Sequence, residues 1–519
     1  MILSRYHMET VFYIMLFVVK ISSKLLGPVI RFAAKGKKQV LPPIANDIIK
    51  ISATDLAEKI RKREISTLQI CKAYIARISE VNPFLNAITE ERFYDALKEA
   101  QEIDDFLSTT KMTSEQLAET KPLLGIPITV KESCSVKGME LSVGNLALSG
   151  TKASEDGAAV ARLRSKGAIP LLVSTTPEFC FSTVSENKTR GKTNNPYDTT
   201  CTTGGSSSGE GALVGSGASI VGIGSDLGGS VRIPAGLCGV FGHKATGGVA
   251  SSDGHFPATA EETKYFSAIG PLVRYAKDLK LVMNALVEPQ HVSKLKLNQQ
   301  VDLNDIEIAI MEDMNHSSYP ETDPEIKAAL QKAAMYLQKK FGSKIVNDKI
   351  EGLTEVTNIA SYTIIASEKG EEALNHPAPL WEFIKGLFGS SDFSTPFACT
   401  LFQTRVLALL LDYKPNELIA VREKIWKFFG NNRILLIPTS FSSAKKHEEY
   451  LFSSLDIAYT VFANSCGLPA TTVPCGLNKK KMPFGIQVIA GPYQDRICLA
   501  VAEELEKCFG GWTPPSKYM

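Results

Sequence analysis

None of the ten cysteines pair as CxxC, so neither a zinc ribbon nor a vicinal dithiol is encoded. Scattered from Cys71 to Cys508, they read as buried free thiols in a reducing compartment or on the cytosolic side of a membrane, with no metal or cofactor expected. Excess charge is also missing, with 57 Lys and Arg against 55 Asp and Glu. No basic run is interleaved with aromatics, which removes nucleic acid as a partner. GxxxxGK and GxGxxG are both absent, excluding a phosphate loop and a dinucleotide fingerprint. Histidine is scarce, seven in 519 residues, so chemistry that needs one has few candidates. No uninterrupted stretch reaches the ~20 apolar residues that a spanning helix needs.

What is present is an ordinary globular composition, 44% hydrophobic and 22% charged. Residues 52–107 have helical periodicity, opened by Ser52 with Asp55 and broken at Asn82-Pro83. Residues 122–130 (PLLGIPITV) read as a buried strand ending at Lys131, followed by a helix at 157–166 and a second strand at 168–174. Helices dominate 291–441, where the run 406–411 (VLALLL) is unusually apolar, before strand patterning returns at 483–492 and a last helix closes the chain. Strands alternating with helices predict an α/β fold. The expectation is one catalytic domain, residues 48–519, with a large mixed, mostly parallel central sheet covered by helices on both faces. A helix-rich inserted region is expected at about 290–440.

Residues 1–40 depart from this pattern. The apolar run 11–19 (VFYIMLFVV) is followed by Lys20, Lys24, Pro28, Arg31, Lys35, Lys37 and Lys38. This suits a membrane-associated helix, lying in the interface or making a single short pass, with its lysines snorkelling. Positive charge after the run places the catalytic domain in the cytosol if the segment spans.

The richest stretch is 204–244, GGSSSGEGALVGSGASIVGIGSDLGGSVRIPAGLCGVFGHK, two glycine-serine loops around an apolar strand at 218–223. So many glycines suggest backbone that takes unusual φ or approaches a ligand closely. Gly205-Ser-Ser-Ser-Gly209 satisfies GxSxG, the nucleophile elbow, but that chemistry needs a later histidine. The late candidate, His447, sits among Lys445, Lys446, Glu448 and Glu449 and reads as solvated surface. Ser442 and Lys445 match SxxK only weakly. A histidine-free pairing fits better: a serine needs a base, and a lysine at the end of an apolar strand loses solvation of its charge. That points to Lys131.

GIPITVKES around Lys131, NPYDTTCTTGGSSSGEGA, GIGSDLGGSVRIPAGLCGVFGHK, GLPATTVPCG and PFGIQVIAGP, in this order from about residue 52 to the end, resemble the amidase signature family. The resemblance implies a serine hydrolase of carboxylic amides working through an acyl-enzyme. Its Ser-cisSer-Lys triad falls on Ser230 as nucleophile, Ser206 as bridging serine in a cis peptide after Gly205, and Lys131 as base. Ser206 and Ser230 lie 24 positions apart, the family interval. The backbone amides of Leu227, Gly228, Gly229 and Ser230 are the implied oxyanion hole, with Asp226 and Arg232 pairing to hold the loop. Ser208 stands where the family usually has glycine, and Thr203 and Ala245 each where it has proline. Glu210, GSDLGGS, FGHK and the membrane-seeking N-terminus look nearest to the fatty-acid amide hydrolases of type 2, which implies long-chain lipid amides as small-molecule substrates and leaves a homodimer open. Other readings are the amidase subunit of a glutamine-dependent tRNA amidotransferase and a catalytically silent, membrane-bound lipid-binding scaffold.

Overall fold

A computed structural model describes residues 5–34, 36–258, 264–314, 316–348, 350, 378–410 and 415–515. Thirteen strands are found among them: β1 (Ile88–Glu91), β2 (Pro127–Lys131), β3 (Ile169–Ser174), β4 (Glu186–Asn187), β5 (Gly191–Lys192), β6 (Val221–Asp226), β7 (Phe241–Lys244), β8 (Ala268–Val273), β9 (Glu307–Ile310), β10 (Lys344–Val346), β11 (Arg433–Pro438), β12 (Ala470–Leu477) and β13 (Pro483–Ala490). Eleven form one sheet in the order β1-β3-β2-β6-β8-β7-β12-β13-β11-β9-β10, while β4 and β5 make a separate ribbon.

The sheet is mixed but mostly antiparallel, which corrects the expectation of parallel strands. Only β3–β2, β2–β6, β11–β9 and β9–β10 run parallel. Helical crossovers do connect β2, β3 and β6, and there the alternation of strand and helix predicts direction correctly. From β7 onward the connections change. β12 turns directly into β13 through the Asn478 to Lys481 turn, and such a short link can join only antiparallel neighbours. Strand β8 enters between β6 and β7 and runs against both. Three strands of the same sheet, β9, β10 and β11, come from within residues 290–440.

Local chemistry accounts for the element ends. Ser52 caps the helix Ala53–Arg61, its Oγ accepting the Asp55 N–H at 3.1 Å. Pro83 does not break the helix Thr67–Leu85 but sits in its last turn; the stop is Asn86, in the left-handed region at φ 50°. The helix Ser208–Gly215 packs against β6, β2 and β8, and the final helix Asp495–Phe509 against β12 and β13. The main core between them is aliphatic, including Ile128, Val130, Val221, Ile223, Val273 and Ile486. The helix Thr395–Leu410 contains the start of the apolar run at 406–411; the side chains of that run lie outside the described residues.

The N-terminal segment is a helix, Arg5–Ala33. No helix among the described residues is long and apolar enough to cross a membrane, so the single-pass reading is not supported. The basic residues explain why: Lys20 Nζ donates to the Ser317 carbonyl at 2.8 Å and Arg31 pairs with Glu449 at 2.6 Å, both toward the domain. Ile14, Phe17, Val18, Ile21, Leu25, Leu26, Val29 and Phe32 are left exposed.

Candidate active site

Strand β2 is buried along its whole length, and its β-branched Ile128, Thr129 and Val130 carry the chain into the core as far as Lys131. Lys131 has no solvent exposure. Its Nζ lies 2.7 Å from Ser206 Oγ and 2.9 Å from Ser225 Oγ, two neutral hydroxyls.

Ser206 is placed by the glycines before it. Gly204 has φ +80°, the Gly205-Ser206 peptide is cis, and any Cβ on Gly205 would collide with the Ser182 carbonyl oxygen. The Ser206 carbonyl accepts the Thr176 hydroxyl at 2.9 Å, and the next amide, Ser207 N, donates to the Ser230 carbonyl at 3.1 Å. The two loops are therefore laced together where Ser206 and Ser230 occur. Ser206 and Lys131 are buried whereas Ser230, Leu227 and Gly228 are half-buried. Ser208, unusual for the family, fits by donating its hydroxyl to the Gly204 carbonyl at 2.8 Å.

The Ser230 loop is held from behind by charge. Asp226 and Arg232 are fully buried and doubly bonded, Nε to Oδ2 and Nη2 to Oδ1, both at 3.0 Å. Burial alone would raise the Asp226 carboxyl, but the Arg232 charge overrides it and holds the group well below the usual carboxylate range. Arg232 continues to Gln487 Oε1 at 2.7 Å and Asn464 Oδ1 at 2.5 Å, fastening the loop to β13 and to the helix Ala458–Ser465.

Of the four amides expected to face an oxyanion, Gly229 N–H is already committed to Asp226 Oδ1 at 2.7 Å. Those of Leu227, Gly228 and Ser230 have no protein acceptor among the described residues. Gly229 itself has φ +123°, with the side chain of Thr460 where a Cβ would be.

The competing motifs separate clearly. Ser207 Oγ lies 3.5 Å from the Ser225 carbonyl, with no histidine partner. Lys445 pairs with Asp456 at 2.7 Å, and Ser442 Oγ donates to the Ser443 carbonyl. His447 is buried, not solvated: its Nε2 lies 3.2 Å from Asn194 Oδ1, and burial pushes its pKa down to about 4.

Three side chains near Lys131 escaped the sequence reading of roles. Glu210 lies fully buried under β6, its carboxyl pushed up to about 7 by burial, against the hydroxyl of Thr129 and the more distant Lys131. Ser225 meets the lysine directly and His255 meets it only through Ser225: His255 Nε2 lies 2.9 Å from Ser225 Oγ. Ser225 had a signal, its place at the end of the apolar strand that leads into Ser230. His255 had none, because its loop returns from beyond β7. Among the described residues no group of three or more His, Cys, Asp or Glu side chains is arranged to hold a metal ion.

Lys131, Ser206 and the glycine loop that carries Ser230 thus come together at the end of β2. Residues 69–499 match the sequence model of the Amidase family, and the chain belongs to that family; it is an amide hydrolase. It is 34% identical over 509 residues to fatty-acid amide hydrolase 2 of Homo sapiens, covering 95% of this chain and 94% of that protein. It is 36% identical over 507 residues to fatty-acid amide hydrolase 2-B of Danio rerio, covering 95% and 96% respectively. A solved fatty acid amide hydrolase shares the fold at TM-score 0.74 and 24% identity, covering 91% of this chain and 87% of that one.

Proposed function

We propose that the protein cleaves long-chain fatty-acid amides to a fatty acid and an amine through an acyl-enzyme on Ser230. The observation that carries this reading is the buried contact of Lys131 Nζ with Ser206 Oγ, 2.7 Å, beside the loop of Ser230. Ser230 Oγ attacks the amide carbon while its proton passes to Ser206 and the Ser206 proton passes to neutral Lys131. The oxyanion is received by the N–H groups of Leu227, Gly228 and Ser230, and by Gly229 if its amide leaves Asp226; one such donor is worth about 3–4 kcal/mol. Collapse breaks the C–N bond as the proton returns from Lys131 through Ser206 to the departing nitrogen. Water then attacks the ester by the same route, releasing the acid and restoring Ser230.

A lipid substrate is supported by likeness along nearly the full length to the fatty-acid amide hydrolases of type 2. It is supported too by the apolar face of the N-terminal helix and by exposed Leu380, Trp381, Leu387 and Phe388 at the helix Pro379–Leu387. Both helices pack against Thr395–Leu410, and interfacial membrane binding follows from their exposed apolar side chains. The test is a hydrolysis panel of acyl amides graded in chain length, with glutamine included, run on wild type and Ser230→Ala. Turnover that rises with chain length and vanishes in Ser230→Ala supports the reading. Activity retained in Ser230→Ala, or preference for glutamine, overturns it.

A further inference from the structure

We infer that His255 is a positioning residue which, acting through Ser225, turns the lone pair of Lys131 toward Ser206. The inference rests on Lys131 being the base. Its support is the direction of a chain of hydrogen bonds anchored at a carbonyl that can only accept.

His255 Nδ1 lies 2.8 Å from the Pro257 carbonyl oxygen, so Nδ1 carries the ring proton. Burial pushes the imidazole pKa well below its ordinary value, so the ring is neutral and Nε2 is an acceptor. The group 2.9 Å from Nε2 is the Ser225 hydroxyl, which must therefore donate to it. With its one proton spent on His255, Ser225 Oγ can only accept from Lys131 Nζ, 2.9 Å away. A neutral amine has two N–H bonds and one lone pair. One N–H is fixed on Ser225, and Ser206 Oγ, at 2.7 Å, is then the proton donor that the lone pair can meet.

Without an acceptor at His255 the Ser225 hydroxyl is free to turn and donate to Lys131, occupying the lone pair that the reaction needs. No proton leaves His255 at any step. Among the described residues the titratable side chains around this chain are Lys131 itself, Cys134 and Glu210, and neither the Cys134 thiol nor the Glu210 carboxyl bonds to His255 or Ser225. The backbone of His255 fixes where its ring stands, because it bridges Cys134, three residues beyond Lys131, and its N–H donates to the Ser252 carbonyl at 2.9 Å.

The test compares wild type, Ser225→Ala, His255→Phe, His255→Gln and the double variant Ser225→Ala/His255→Phe on one acyl amide. His255→Phe is expected to lower kcat roughly tenfold, the scale of one lost hydrogen bond, with KM held within about twofold. His255→Gln, whose Oε1 can accept from Ser225, recovers most of kcat. The double variant is no slower than Ser225→Ala, because the effect of His255 runs only through that hydroxyl. Unchanged kcat in His255→Phe, a change confined to KM, or losses that multiply in the double variant overturn the inference. Should His255→Phe fail to fold, Ser225→Ala/His255→Gln against Ser225→Ala reads the same coupling: equal rates support it and a further loss overturns it. Lys131→Ala is run alongside. If Lys131→Ala is inactive and His255→Phe is silent, this inference alone fails; if Lys131→Ala is active, the base assignment fails and takes the inference with it.

Discussion

Asp226 and Arg232 form a bidentate ion pair with neither side chain exposed to solvent, and both ends of that pair hold the loop between them. Arg232→Ala leaves the Asp226 carboxylate buried without its counter-ion, which is expected to cost about 3–5 kcal/mol. Urea unfolding measures this directly. Arg232→Lys should recover only part of the loss, because one ammonium cannot reach Asp226, Gln487 and Asn464 in the fork geometry of a guanidinium. A loss under ~1 kcal/mol in Arg232→Ala would contradict the role assigned to the pair.

Lys131→Ala should reduce amide hydrolysis at least about a hundredfold, the scale of general acid–base catalysis. Labelling of Ser230 by a reactive phosphonate should fall far less, since a good leaving group needs no proton while a departing amine does. Equal loss in both assays would make Lys131 a structural residue.

Glu210 gives a prediction about pH. Its Oε1 is buried without a partner, so ionisation in the core is unfavourable and the folded pKa is raised from 4.5 to about 7. Below pH 4.5 both folded and unfolded chains hold the proton, and stability is undiminished. Between about 4.5 and 7 the unfolded chain gives up the proton and the folded chain keeps it, so raising the pH weakens the fold until Glu210 ionises. Glu210→Gln is neutral throughout, and its thermal stability should gain on wild type as pH rises through this window, by on the order of 3 kcal/mol at neutral pH. A gap between the two melting curves that does not change with pH would refute it.

The exposed face of the N-terminal helix should bind lipid. Replacing Phe17, Leu25 and Phe32 together by Ser is expected to abolish flotation with anionic vesicles, while hydrolysis of a short, water-soluble amide is unchanged. Unaltered flotation would remove the helix from the membrane reading.

The three proposed catalytic side chains could be nominated from sequence because each lies in a short segment whose own composition is unusual: a lysine closing an apolar strand, and two serines in glycine-rich loops. The parallel strands around Lys131 were legible for the same reason, since helix follows strand there within one local stretch. Strand direction beyond β7 was not, because it depends on which remote strand fills a gap, as β8 does between β6 and β7. His447 shows the limit most plainly. Its charged neighbours suggested solvent, yet Lys445 turns to Asp456, Lys446 to Asp198, Glu448 to Lys192 and Glu449 to Arg31. Those partners are mostly far away in sequence, and once they are engaged the histidine is enclosed.

The lacing of Arg232 to Asn464 spans 232 residues. At a translation rate of about 5–20 residues per second, some tens of seconds separate synthesis of the Ser230 loop from synthesis of the groups that brace it. Through that interval the emerging chain carries Asp226 and Arg232 in water, where their attraction is weak, and the loop has no frame against which to set. A chain halted before Asn464 has every proposed catalytic side chain but neither of the remote groups, Asn464 and Gln487, that brace Arg232.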